Sequence, residues 1–379
     1  PYYGKTEDSY FNDFYDINGD GVDDVTVPYT EDASRGGRFD PHMMAYQYNS
    51  LYKESPYYHK ATPWVAGANS PIKFFETGII KNNTISLENA NENSSYRLSY
   101  TNFDQTGIMP NSKLKRDNFF FTASHDFRKN LKVTAQANYV RTSGLGRPST
   151  GYNENIMSSF RQWWQINTDI LEQRDLYFAS KKNLSWNPKS PTNLNPIYWD
   201  NPYWVRYENY ETDARNRIIG FTQFDWDIAK GLSLMGRAAI DTYSQLQEER
   251  RAVGSASGEF GVGRPSVTSG YSRFSQNYSE TNIDGILKYH TTFGQLDLTA
   301  LAGLNIRRNT DDNVFASTNG GLAVPNIYAL SNSRDPQLPP EEKLLKSGIN
   351  GVYGSVSLGY KGFLYLDATI RRDKSSTLP

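Results

Sequence analysis

FFFTASHDFRKNLKVTAQANY, residues 119–139, alternates apolar and polar side chains on both sides of a short break. Phe119, Phe121, Ala123 and Phe127 fall on one side of an extended chain. After a break at Arg128–Asn130, Leu131, Val133, Ala135, Ala137 and Tyr139 again share a side, and Lys132, Thr134, Gln136 and Asn138 take the other. A period of two puts alternate residues on opposite faces of a sheet, so this is an antiparallel hairpin with one apolar and one polar face.

The same unit recurs on either side. Upstream, Thr84–Glu88 and Ser95–Thr101 form a pair. Downstream, Ile218–Ile228 precedes Leu232–Ile240, Ile283–Tyr289 precedes Leu296–Ile306, and Val352–Tyr360 precedes Leu364–Ile370. Five turns are tight, near Ala90–Ser94, Arg128–Asn130, Ala229–Gly231, Thr291–Gly294 and Lys361–Gly362. The connections at the other end run from about ten residues to about seventy, the layout of a transmembrane β-barrel with short turns on one side and long loops on the other. The pattern predicts an all-β, antiparallel transmembrane β-barrel segment of about ten strands. A soluble sandwich or barrel also alternates, but its strands are usually shorter and its connections need not alternate in length.

Composition agrees. No run approaches the roughly 18 apolar residues of a membrane helix, and the mean hydropathy is −0.68. A barrel strand needs only alternate apolar residues over about 9–11 positions, so its average hydropathy is unremarkable. Aromatic residues make up 14% of the chain, with 27 Tyr, enough for interfacial girdles. A net charge of −1 favours no nucleic-acid partner. The absence of cysteine excludes disulfides, zinc thiolates and a Cys nucleophile.

Residues 1–80 read as an extracellular loop region leading into the barrel, and 81–379 as strands with long loops at 143–213, 250–272 and 310–349. Within the longest, Asn155–Tyr177 has helical spacing through Ile156, Phe160, Trp163, Trp164 and Ile170. Trp163, Trp164, Trp186, Trp199 and Trp204 are candidates for ligand or partner contact; the alternative is that they pack the loop on itself.

Asp16-Ile-Asn18-Gly-Asp20-Gly-Val22-Asp-Asp24 is the one metal-like motif. Oxygens at positions 1, 3 and 5, glycine at 6, the Val22 carbonyl at 7 and Asp24 at 9 match the start of a calcium loop. Val27 occupies position 12, so the bidentate Glu is missing, and Glu31 or Asp32 would have to stand in. The alternative is an acidic surface turn. Arg371, Arg372 and Asp373 read as an inner, lumen-facing charge network and not as a catalytic group. No organic cofactor is implied: Gly254–Gly263 lacks the Lys-Ser/Thr of a phosphate loop. No nucleophile–base arrangement points to an enzyme, and His42, His59, His125 and His290 lack ligand spacing.

Several segments resemble the SusC/RagA family of TonB-dependent outer-membrane transporters. They are Ser34–Gly78, then Ser94–Pro148 with its Gly107–Ser112 turn and its Leu131–Thr134 strand start, and finally YLDATIRRDKSS, Tyr365–Ser376. The resemblance implies a barrel of about 22 strands and residence in the outer membrane of a Gram-negative bacterium. It further implies energised import of large nutrients, glycan oligosaccharides or peptides, beneath a SusD-like lipoprotein and driven by TonB. The family's plug domain has no counterpart in the sequence, so the chain reads as an internal segment. A passive porin, a surface adhesin and a soluble carbohydrate-binding β-protein are the competing readings.

Overall fold

Ten strands form one antiparallel sheet in strict chain order. They are β1 (Ile79–Ala90), β2 (Ser94–Thr106), β3 (Lys113–Arg128), β4 (Leu131–Leu145), β5 (Glu211–Ala229), β6 (Leu232–Arg251), β7 (Gly270–Phe293), β8 (Leu296–Ser317), β9 (Glu341–Tyr360) and β10 (Leu364–Ser375). The computed structural model describes residues 10–11, 14–32, 36–147, 155–256 and 267–377. Residues 148–154 of the longest loop and 257–266, which include most of Gly254–Gly263, lie outside that set.

Four of the five tight turns occur where the sequence places them, and the one expected at Thr291–Gly294 falls slightly later, at Gly294–Gln295, because Thr291–Phe293 still pair with Leu296–Leu298. At one of them Gly231 has φ +77°, and a Cβ there would stand 2.1 Å from the His290 carbonyl oxygen, so only glycine fits. At the other end the connections are unequal. Residues 107–112 alone join β2 to β3, shorter than the expected minimum, because Gly107 and Ser112 bond each other to close a compact turn. Residues 146–210 separate β4 from β5, yet the two strands pair directly, with Ile218 opposite Tyr139.

The strands are longer than the periodicity alone marks, reaching 24 residues in β7. Their outer face explains why. On β8 the outward row is apolar from Leu296 to Ile306 and then turns polar at Arg308, Thr310 and Asp312. On β7 it is apolar from Tyr289 back to Ile283 and polar from Thr281 to Asn277. On β6 it is apolar to Ile240, then Thr242 and Ser244 follow. The apolar belt therefore starts at the tight turns and has the height of about 9–11 residues, the span of a bilayer's hydrocarbon. Its members are exposed: Ile240, Ile283 and Leu304 are each 44% accessible. Above the belt the strands continue with mostly polar residues on both faces, interrupted by Leu246, Phe274, Val314 and Phe315.

The protein's buried core lies elsewhere, in a cap at the loop end. It joins residues 17–75 to the 156–205 insertion and Ala252. Helices α1 (Ile156–Gln162), α2 (Ile170–Ser180) and α3 (Pro202–Tyr207) start at Asn155, Asp169 and Asn201, whose side chains accept from the first-turn amides. The predicted helical stretch is thus two helices, broken at Trp163–Asp169. Small hairpins, Asp40–Ala45 with Thr62–Trp64 and Pro188–Ser190 with Asn193–Pro196, complete the cap. No helix among the described residues is long and apolar enough to cross a membrane, which says nothing about crossing by strands.

Candidate functional site

The inner face of the sheet carries the polar half of the alternation. Arg237 and Asp284 stand opposite each other on β6 and β7 and pair at 2.7 Å. Asn305 of β8 donates to Asp284 at 2.7 Å and to Asn282 at 2.7 Å. One step higher, Arg307 pairs with Glu280 at 2.6 Å, and Glu280 also accepts from Tyr278 at 3.0 Å. Arg217 grips Asp241 with two nitrogens, one at 2.8 Å. Tyr243 and Tyr278 stack at 4.9 Å, with Arg215 over the Tyr243 ring. Apart from the Tyr278–Glu280 bond within β7, these contacts are cross-strand, so they lock register while presenting a hydrated, charge-balanced wall. On β10, Arg371 and Asp373 pair at 2.8 Å on this face, whereas Arg372 turns outward beside Val352.

The cap fixes the rim above that wall. Arg206, 3% exposed, donates to the carbonyls of Pro110 and Gly146, while Asn111 donates to the Arg206 carbonyl at 2.8 Å. One side chain so joins α3, the 107–112 turn and the end of β4. Burial lowers its pKa from the usual guanidinium value. Asp200 is also buried and accepts from the Ala256 amide at 2.6 Å and from Asn183 at 2.7 Å. Desolvation pushes its pKa up to about 6. Glu172 accepts from Tyr48 and Asn49, both at 2.9 Å, tying the segment before β1 to α2.

The five tryptophans are placed inside this cap. Trp164, Trp186, Trp199 and Trp204 are 8% exposed or less, and Trp163 packs against the same core. Trp164 meets Trp186 edge-on at 5.2 Å. The Trp199 indole donates to Asp32 at 2.9 Å and that of Trp204 to Ser255 at 2.9 Å. Their rings hold the loop together and are not offered to solvent; burial of so much aromatic area is what folds a long insertion.

The Asp16–Asp24 loop closes on itself. Asp16 accepts from the amides of Gly19, Asp20 and Gly21 at 2.7–3.1 Å, Asn18 from Asp20 at 2.9 Å, and Asp20 from Val22 at 2.9 Å. Asp24 accepts from Ile17 at 2.9 Å and from Asn18 at 3.2 Å. Gly19 and Gly21 both have φ +84°, which the bend demands. The side-chain oxygens turn inward, but among the described residues no three His, Cys, Asp or Glu side chains group as metal ligands. Asp32 is engaged by Trp199 instead of completing the loop.

The inner charge ladder was missed as a set by sequence reading. The polar alternation marks each residue, but the cross-strand partner depends on register, which no local signal gives.

No family model matches the chain. TonB-dependent receptor P3 of Formosa agariphila is 21% identical over 313 residues, 80% of this chain and 29% of that protein. Among solved structures, the RagAB peptide transporter aligns with a TM-score of 0.63 at 17% identity, over 88% of this chain and 36% of its own. The RagAB peptide importer in its closed-closed state gives 0.59 at 16%, over 81% and 33%. The chain spans about a third of the length of these relatives. The meander, with an apolar belt outside, paired charges inside and tight turns at one end, has the fold of a transmembrane β-barrel wall, and over most of its length it is similar to a TonB-dependent receptor and to the RagAB transporter.

Proposed function

We propose that this segment forms part of the wall and external rim of an importer for large nutrients, glycan oligosaccharides or peptides, energised through TonB. The two-faced sheet supports this most: its outer belt suits lipid, and its inner face offers a polar surface to a passing solute. In this reading the cap stands on the extracellular side, because all five tight turns lie at the other end. A SusD-like lipoprotein would rest on the cap and rim. The test is growth of a strain lacking the full-length protein on defined glycans or peptides, beside a strain lacking TonB. Loss of the same nutrient in both is expected; uptake unaffected by TonB would favour a passive pore. Co-purification checks the lipoprotein: substitutions on exposed cap residues such as Tyr198 should reduce its recovery while the barrel assembles normally.

The Asp16–Asp24 loop we further propose as a calcium site. Asp16, Asn18, Asp20 and the Val22 carbonyl keep the spacing of such a loop, with Asp24 bracing it from behind. Calorimetric titration with calcium should show binding that Asp16→Ala and Asp20→Ala abolish; no heat in the unaltered protein would leave a self-closed turn.

A further inference from the structure

Two adjoining cavities lie at the loop end of the sheet and open on its inner face. The first, about 630 Å³, sits between the 107–112 turn and the end of β4, and Ile108, Met109 and Leu114 give it an aliphatic wall. The second, about 320 Å³, lies against β5 to β8 and has Phe274 and Phe315, a directly opposed cross-strand pair, on its wall. Arg147 and Asp213 line both and pair at 2.6 Å where the two meet. Both partners keep access to solvent, so the pair can exchange its bond for one to a bound group.

We infer that this double cavity binds a peptide through apolar side chains, a reading that rests on the import function proposed above. Three observations set the ligand class. Ile108 of the 107–112 turn is 60% exposed, an aliphatic side chain left in water beside Gln105, Ser112 and Arg147 of the same cavity. Aliphatic and methionine surface gains from covering a hydrocarbon side chain and gains little from a hydroxyl-rich sugar ring. The Arg147–Asp213 pair stands between the aliphatic Ile108, Met109 and Leu114 on one side and Phe274 and Phe315, set among Glu211, Glu248 and Glu249, on the other, and presents a cation and an anion to the carbonyls, amides and charged ends of an extended chain. The volumes are those of small-ligand sites, enough for a few side chains and not for a folded partner. Below the rim, Arg217–Asp241, Arg237–Asp284 and Arg307–Glu280 follow one another along the wall as matched pairs.

The experiment uses the full-length transporter purified in detergent. Three fluorescent probes are titrated: a heptapeptide rich in Leu and Phe, a Gly/Ser heptapeptide, and a neutral heptasaccharide. The apolar peptide should bind at least about tenfold more tightly than the Gly/Ser peptide. Ile108→Asn with Met109→Ser should cut that preference to about twofold or less, leaving Gly/Ser binding unchanged. Both positions lie in a surface turn, and heat-modifiable gel mobility verifies that the barrel still forms. If that double variant fails to assemble, Phe315→Ser gives the same reading in the second cavity. Reversing the ion pair, Arg147→Asp with Asp213→Arg, should invert any preference between peptides ending in an amide and in a carboxylate. Tight binding of the heptasaccharide alone would overturn the peptide assignment and leave the import function standing. A peptide preference that survives the variants would overturn the site. Failure to bind or import any of the three would remove both.

Discussion

At the scale of single residues, Asp200 shows how the cap balances packing against charge. Its carboxylate caps the Ala256 amide inside the protein, and burial raises its pKa to about 6, above the usual carboxylate value of about 3.9. A raised folded pKa means the folded state holds the proton more tightly. The contribution of this group is therefore fully present below about pH 4 and is lost as pH rises through 6, a swing of roughly 2–3 kcal/mol. Hydrogen exchange at Ala256 should quicken between pH 4 and 7, and Asp200→Asn should flatten that dependence. A slope unchanged in the variant would place the titrating group elsewhere. Trp164 makes the complementary point. It is legible in the sequence as an aromatic at helical spacing, but spacing does not say whether the ring packs inward or faces a partner. The structure buries it against Phe160 and Trp186. Trp164→Ala should cost the cap about 3–5 kcal/mol. Limited proteolysis should then cut residues 156–205 while the barrel keeps its heat-modifiable mobility.

At the scale of elements, strand identity and facing were readable because alternation is a local signal. Leu296, Leu298, Ala300 and Ala302 announce their own face without reference to any neighbour. Strand length was not, because above the belt both faces are mostly polar and the period fades: Thr242 and Ser244 look like loop, yet they pair with Ser279 and Asn277. The Gly107–Ser112 turn is legible in the residues, but the start of β3 just beyond it is not, since Lys113–Asp117 carries charges on both faces of the strand. Two predictions belong here. Gly231→Val faces a left-handed backbone cost of about 1–2 kcal/mol and a collision with the His290 carbonyl. It should therefore slow or block assembly in a detergent refolding assay, whereas the flanking Lys230→Val should not. Leu366→Arg, in the outward row of β10, should cost about 2–4 kcal/mol at the bilayer midplane, and Thr299→Arg, on the inner face of β8, much less. Equal effects on assembled yield would mean the faces are assigned wrongly.

At the scale of the whole molecule, the apolar surface is divided between two uses. The sheet keeps its hydrocarbon outside in a belt, and the cap keeps its own inside as an aromatic core. A soluble sandwich would bury one sheet face against another; here the exposed apolar row runs across all ten strands. Residues 14–75 precede the first strand in sequence, but they join the insertion between β4 and β5 through contacts such as Tyr52 to Ser185 and Asn187 to Tyr29. No sequence pattern announces such contacts, because the partners lie more than a hundred residues apart and share no period. The central claim is that β8 crosses a bilayer with alternate residues in lipid and in water. These 379 residues contain no cysteine, so single cysteines at positions 298 to 303, placed in the full-length protein with any cysteine outside this segment replaced, can each carry a fluorophore without background. In liposomes, a lipid-soluble nitroxide should quench labels at Leu298, Ala300 and Ala302, and iodide in the lumen water should quench those at Thr299, Leu301 and Gly303. Quenching by iodide at all six positions, with no period of two, would contradict the account.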